Sequence, residues 1–297
     1  MMLKLRPTLV QLSLVIIFIA ADCGKSSLYA QKTIIRVEGS DTMVNVAQAW
    51  AENYNKLHPE ISIQVLGGGS GVGIASLIED NCDMANTSRK MTKEEIERAK
   101  EKRKATPVEH IVGYDALAIY VYKHNPIESI SLEELAEIYG DGGTLTKWPQ
   151  LGVEIPSGNE QIVWLNRQSS SGTYAYFREV ILGKKRDYKL GSINTNGSKD
   201  VIFIIANTPG AIGYSGMGYS TDQVKMLKVS RKKGDPGVAP SVENAQNGAY
   251  PITRPLQIYT LDEPKGAEKE YMDWIGSKEG QQVVSDLGYV PVFKHDK

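Results

Sequence analysis

The sequence predicts an α/β fold of two domains joined by two crossovers, and two observations predict it. Residues 33–79 read strand, loop, helix twice over, and a βαβα run implies a parallel sheet with right-handed connections. Two long extended runs, His110 to Tyr122 and Tyr250 to Thr260, have the length of segments passing from one domain to the other. A chain of 297 residues has room for one large or two medium domains, and 41% hydrophobic with 23% charged residues is the balance of an ordinary soluble core.

The elements follow in order. Thr33 to Glu38 alternates apolar and polar and predicts a strand. Gly39 to Met43 is a turn, and Val46, Trp50 and Tyr54 form one face of a helix that stops near His58-Pro59. Ile61 to Leu66 is a second strand, and the glycine-rich loop Gly67 to Gly73 leads into the stripe Ile74, Leu77, Ile78. In such sheets ligands sit beyond the carboxyl ends of the strands, where these two loops lie. Asp83 to Arg89 is a third loop, Lys93 to Lys104 is a charged helix with a solvated face, and Ser131 with Glu134 spells a capping box for a helix to Tyr139. Gly140 to Pro156 is turn-rich, a helix spans Asp200 to Asn207, and residues 230–250 read as loop. Prolines 251 and 255 argue against an ordinary central strand at Tyr250 to Thr260. A last helix carries Tyr271, Trp274 and Ile275 and runs on to Val283 and Leu287.

The first residues stand apart from this fold. Lys4 and Arg6 precede an apolar run from Leu9 to Ala21, the length of a secretory signal and too short to span a bilayer. Residues 1–30 therefore read as a signal peptide and the chain as exported, to the periplasm or cell surface. Ala20-Ala21-Asp22-Cys23 resembles a lipoprotein site that would anchor the chain at Cys23, although Asp22 fits it poorly; cleavage after Ala30 is the competing site. Cys82, in an apolar context, reads as a buried inert thiol. Two cysteines and four histidines without ligand spacing point to no metal, and nothing points to a cofactor. A net charge of −1 carries no signal for nucleic acid.

The stretch that organises the chain is Trp164 to Phe177. The apolar run Ile162 to Leu165 reads as a strand end, Arg167 follows, then a hydroxyl-rich turn, then a helical pattern in Tyr174, Phe177, Val180 and Ile181. The first N–H groups of a helix lack partners and lie at the positive end of its dipole. Ser171 and Thr173 add hydroxyls, Gly172 lets backbone approach closely, and Arg167 offers a planar fork, so the stretch forms an anion socket. Standing alone, it reads equally as a capped helix after a loop.

It does not stand alone. The loops Gly39 to Met43, Gly67 to Gly73, Thr87 to Arg89 and Arg167 to Thr173 are all rich in Gly, Ser and Thr. With Glu137 to Gly140, Lys147-Trp148, Pro209 to Tyr214 and the tail Gly288 to Pro291, this ordered set resembles the PstS-like phosphate-binding proteins of bacterial ABC transporters over roughly residues 33–293. The resemblance implies a two-lobed, type II-like periplasmic-binding-protein fold. Its two parallel or mixed sheets are flanked by helices, with lobe I at 31–115 plus 253–297 and lobe II at 116–252, hinged by the two crossovers. It implies capture of inorganic phosphate, delivery to a membrane permease, and a monomer without a cofactor. It places phosphate on Thr42 and Met43 with Ser40 close by, on Ser70, and on Arg167, Ser171, Gly172 and Thr173.

One position departs from the pattern. Where well-known members carry a third-loop carboxylate that accepts the proton of hydrogen phosphate, this chain has Ser88, which both donates and accepts and does not repel sulfate. Asp41 is the nearest substitute, although its first reading is as a cap of the following helix. The acidic residue that often restrains the arginine from two places on is replaced by Ser169. Two alternatives remain: a binding protein or sensor for another tetrahedral oxyanion such as sulfate, and a serine-type hydrolase. The hydrolase reading fails on its motif, since Val72 and Ser169 each break the Gly-x-Ser-x-Gly pattern and no histidine lies in the four loops.

Overall fold

The structure is a computed structural model, described over residues 32–155, 158 and 160–292. The expected signal peptide and Cys23 lie outside these residues. From Lys32 onward the chain forms one compact unit. Its strands and helices alternate as β1 (Thr33–Gly39), α1 (Val44–Leu57), β2 (Ile61–Leu66), α2 (Ser70–Glu79), β3 (Met84–Thr87), α3 (Lys93–Arg103), β4 (Pro107–Tyr122), β5 (Ser129–Ser131) and α4 (Leu132–Tyr139). They continue as β6 (Val163–Arg167), α5 (Gly172–Phe177), β7 (Ile193–Thr195), α6 (Ser198–Ala206), β8 (Ala211–Gly216), β9 (Val224–Met226), β10 (Lys228–Ser230), α7 (Val242–Gln246), β11 (Thr253–Leu261), α8 (Gly266–Ile275) and α9 (Lys278–Asp286).

The strands join in the order β2-β1-β3-β11-β4-β8-β6-β7, with β9 also on β4, and β10 pairs β5 separately. Strands β1, β2 and β3 are parallel, as the βαβα reading requires, and so are β6, β7 and β8. Strand β4 links the two parallel sets. Its first part pairs antiparallel with β11 from Pro107 to Ala116, and its second part pairs with β8 from Leu117 to Val121.

The core divides along the same line. Val37, Val46, Trp50 and Tyr54 lie with Leu256 and Tyr271 in one cluster, and Ile74, Leu77 and Ile78 lie with Tyr259 in a separate smaller one. Leu117, Ile119, Leu135, Phe177, Ile205 and Ile212 lie in another cluster. Each such buried side chain contributes roughly 1.5–3 kcal/mol. The i, i+4 spacing of Val46, Trp50 and Tyr54 puts all three on the inner face of α1, and the Trp50 indole donates to the Gly280 carbonyl at 2.8 Å. The capping box predicted at Ser131 and Glu134 is present, and Thr92 with Glu95 makes another at the start of α3.

Four expectations are corrected. Within the expected loop Asp83 to Arg89, Met84–Thr87 forms the buried strand β3 between β1 and β11. The proline-bearing run is a central strand: β11 lies between β3 and β4, with Pro255 opposite Tyr114 and a register shift at Leu256/Gln257 that absorbs the irregularity. The last helix is two, because Gly276 ends α8 and the Ser277 hydroxyl caps α9 through the Gly280 N–H. Residues 230–250 hold the short helix α7, capped by Ser241.

Candidate functional site

All three parallel strands of the first half end at the same place. Strands β1 and β3 are neighbours in register to Gly39 and Asn86, so the loops that follow them touch, and the Ser40 N–H donates to the Asn86 carbonyl at 2.8 Å. This closeness requires glycine at position 39, which has φ +138° and where a Cβ would strike the Asn86 carbonyl. Strand β2 leads through Gly67 to Gly69 into α2, whose first residue is Ser70. From the second half, β6 ends in Arg167 and α5 starts at Gly172.

The four loops converge. The Ser40 hydroxyl donates to the Ser88 hydroxyl oxygen at 3.0 Å, the Ser70 and Ser88 hydroxyls are 3.3 Å apart, and the Ser88 N–H donates to the Ser70 hydroxyl at 3.0 Å. Gly172 closes against this group from the other half: a Cβ there would overlap the Ser70 hydroxyl and lie 2.6 Å from that of Ser88. Beside it the Thr42 and Thr173 hydroxyls lie 2.9 Å apart. Ser40, Thr42, Ser70, Ser88, Ser171 and Thr173 are all buried, which is unusual for six hydroxyl side chains in one place. The Ser171 hydroxyl accepts the Tyr174 N–H at 3.4 Å as the N-cap of α5 and keeps its own hydrogen to donate.

Arg167 is 1% exposed. Its Nη2 donates to the Asp41 carboxylate at 3.0 Å and its Nη1 to the Ser198 hydroxyl at 3.2 Å, while its Nε–H has no partner among the described residues. Burial pulls this guanidinium below its ordinary pKa, against the Asp41 charge that holds it up. Asp41 therefore does not cap α1: the residue at the cap is Met43, with no side-chain bond. The Asp41 carboxylate instead takes the Gly68 N–H at 2.9 Å and Arg167, because a buried guanidinium is a stronger partner than a helix N–H that water can reach. It thereby restrains the arginine, the part Ser169 leaves vacant from an exposed position.

Met43 is the predicted site residue that the structure keeps apart. Its side chain is in the core and its N–H is taken by the Ser40 carbonyl at 2.9 Å. Sequence reasoning missed Arg254, which is 1% exposed on β11. Its Nη2 donates to the Thr42 hydroxyl at 3.1 Å, the Thr173 hydroxyl at 3.0 Å and the Asp115 carboxylate at 2.9 Å. Burial raises the Asp115 carboxyl above its ordinary pKa, and Arg254 acts in the opposite sense. The only signal in the sequence was a cation in an otherwise apolar run, Thr253-Arg254-Pro255-Leu256.

Further contacts join these loops to one another. The Gly71 N–H donates to the Ser170 carbonyl at 2.9 Å, and the Ser170 hydroxyl donates to the Gly68 carbonyl at 3.2 Å. The Tyr219 hydroxyl donates to the Asp41 carbonyl at 2.5 Å. No group of His, Cys, Asp and Glu among the described residues could hold a metal ion, so the cluster is built of hydroxyls, guanidinium N–H groups and a helix start. Groups of that kind suit an oxyanion, because charge-assisted hydrogen bonds of about 1.5–3 kcal/mol each can replace the water it loses.

The chain is similar to known proteins along most of its length. The model of the PBP superfamily domain matches residues 27–279. The phosphate-binding protein PstS of Pseudomonas aeruginosa is 34% identical over 264 residues, which cover 86% of this chain and 81% of that one. PstS of Bacillus subtilis is 33% identical, covering 87% and 80%. A Clostridium perfringens protein solved with phosphate bound superposes with a TM-score of 0.78 at 27% identity, over 88% of this chain and all of the other. An ABC-type phosphate transport receptor from Vibrio cholerae gives 0.67 at 26% identity, over 87% and 100%. The chain belongs to the PBP superfamily and, within it, to the PstS family of solute-binding proteins, which are not enzymes.

Proposed function

We propose that this chain captures inorganic phosphate among the four loops and hands it to the membrane permease of an ABC importer. The observation that carries the reading is the convergence of buried Ser and Thr hydroxyls from both halves with the start of α5 and an arginine whose Nε–H is unpartnered. A buried donor without an acceptor costs free energy, and an anion oxygen removes that cost. The ligand-binding set is Ser40, Asp41, Thr42, Ser70, Ser88, Arg167, Ser171, Gly172 and Thr173, with Asp41 acting through Arg167. Residues 31–115 plus 253–297 act as one lobe and 116–252 as the other, closing about β4 and β11. The chain acts as an exported monomer, with residues 1–30 as signal peptide and Cys23 as a lipid anchor where processing takes that site.

A second reading, a sulfate-like ligand, rests on Ser88 and on the two nearby carboxylates being engaged, Asp41 by Arg167 and Asp115 by Arg254. Isothermal titration calorimetry of the chain from Gln31, stripped of ligand, against phosphate and then sulfate at neutral pH tests both. Saturable phosphate binding with silent sulfate supports the first. Sulfate binding alone supports the second, and silence with both anions ends the assignment.

A further inference from the structure

The Arg254–Asp115 pair is not explained by stability. Both side chains are at most 1% exposed, and a buried ion pair often does no better than apolar side chains of the same volume. What distinguishes the pair is its aim. Asp115 on β4 holds the guanidinium through Nε at 3.3 Å and Nη2 at 2.9 Å, and Nη1 reaches the Ser88 carbonyl at 3.4 Å. The group lies over the Tyr176 ring at 5.6 Å and lines a cavity of about 450 Å³ with Ser88, Arg89 and Glu179. Thus held, Nη2 meets two hydroxyls that come from loops 131 residues apart.

We propose that Arg254 is a positioning residue that sets the direction of the Thr42 and Thr173 hydroxyls. A guanidinium has donors and no acceptor: of the two Nη2 hydrogens one goes to Asp115 and the other is shared between the two threonine oxygens, so both oxygens accept and both threonine hydrogens point elsewhere. In this structure one of those hydrogens spans the 2.9 Å between the two oxygens. With phosphate in place, both donate to it. Arg254 thereby turns two hydroxyls of either polarity into two donors, without itself contributing a bond to the anion. Because the two threonines come from loops far apart in the chain, one Nη2 hydrogen is shared by both hydroxyls only when those loops meet.

The inference rests on phosphate as the ligand, and a double-mutant cycle on phosphate affinity by calorimetry separates the two. The variants are Arg254→Met, Thr42→Val with Thr173→Val, and all three together. Asp115→Asn accompanies Arg254→Met wherever the single change impairs folding, and melting of the ligand-free proteins monitors this. Losing the orientation of two hydroxyl donors to a charged ligand predicts about 10–100-fold weaker phosphate binding for Arg254→Met, and losing the hydroxyls themselves a similar factor for the threonine pair. The triple variant is expected within about threefold of the threonine pair, since Arg254 then has nothing left to orient. Arg254→Lys, also donor-only, is expected to recover most of the affinity. Factors that multiply in the triple variant, or an Arg254→Met protein that binds phosphate like the wild type, would overturn the role. A wild-type protein that ignores phosphate would overturn the functional assignment, and the role with it.

Discussion

Replacing Arg167 by Ala removes one buried guanidinium that serves two ends. On one side it offers an unpartnered Nε–H to the anion; on the other it neutralises Asp41 across 3.0 Å. The loss therefore has two parts. A charge-assisted bond to the ligand disappears, and the Asp41 carboxylate, whose side chain is only 15% exposed, is left beside an incoming anion with the Gly68 N–H as its remaining partner. Breaking a buried pair from one side costs about 3–5 kcal/mol, so the phosphate Kd should rise by roughly two to three and a half orders of magnitude. The second part makes the argument specific. Adding Asp41→Asn to Arg167→Ala removes the stranded charge and keeps an oxygen for Gly68, so the double variant should bind about tenfold or more tighter than Arg167→Ala alone. Calorimetry at neutral pH reads all three proteins, with thermal melting to verify folding. Near-native affinity in Arg167→Ala would refute its place at the anion, and a double variant no better than the single would refute the charge held by Asp41.

Other changes have equally direct readouts. Gly172→Ala puts a methyl within 2.6 Å of the Ser88 hydroxyl, so phosphate affinity should fall by about 100-fold or more while overpacking lowers stability by about 1–3 kcal/mol in urea unfolding. Asp115→Asn leaves Arg254 buried without its countercharge and should cost about 3–5 kcal/mol, of which Asp115→Asn with Arg254→Met recovers a large part in the same assay. Burial pushes the Cys82 thiol up to about 12, so the folded protein should resist thiol reagents at pH 8 and react on unfolding. The sign follows: a folded-state pKa above the unfolded value gives stability that is complete below about 8.5 and lost as pH climbs toward 12.

What could be read in the sequence was local. The helix caps at Ser131 and Ser171, the parallel β1 and β2, and the hydroxyl loops all rest on periodicities and caps that span a few residues. What escaped was decided by partners far along the chain. Asp41 looks like a cap until Arg167, 126 positions later, competes for it. Arg254 lies in an apolar run whose prolines disguise a central strand, and its partners are 139, 212 and 81 residues away. Met43 went the other way: the motif pointed to its N–H, and the turn at Ser40 had already used it.

The place of β11 between β3 and β4 also bears on how the chain acquires its fold. The first six elements leave a sheet whose β3 edge stays unpaired until residues 253–261 have been made. Nascent or truncated chains that end before β11 thus carry an open edge and an arginine-sized gap behind Thr42, and pairing over such sequence separations is slow. The first half of the polypeptide is the last to be completed, so recognition by these loops can arise only after nearly the whole chain has been synthesised.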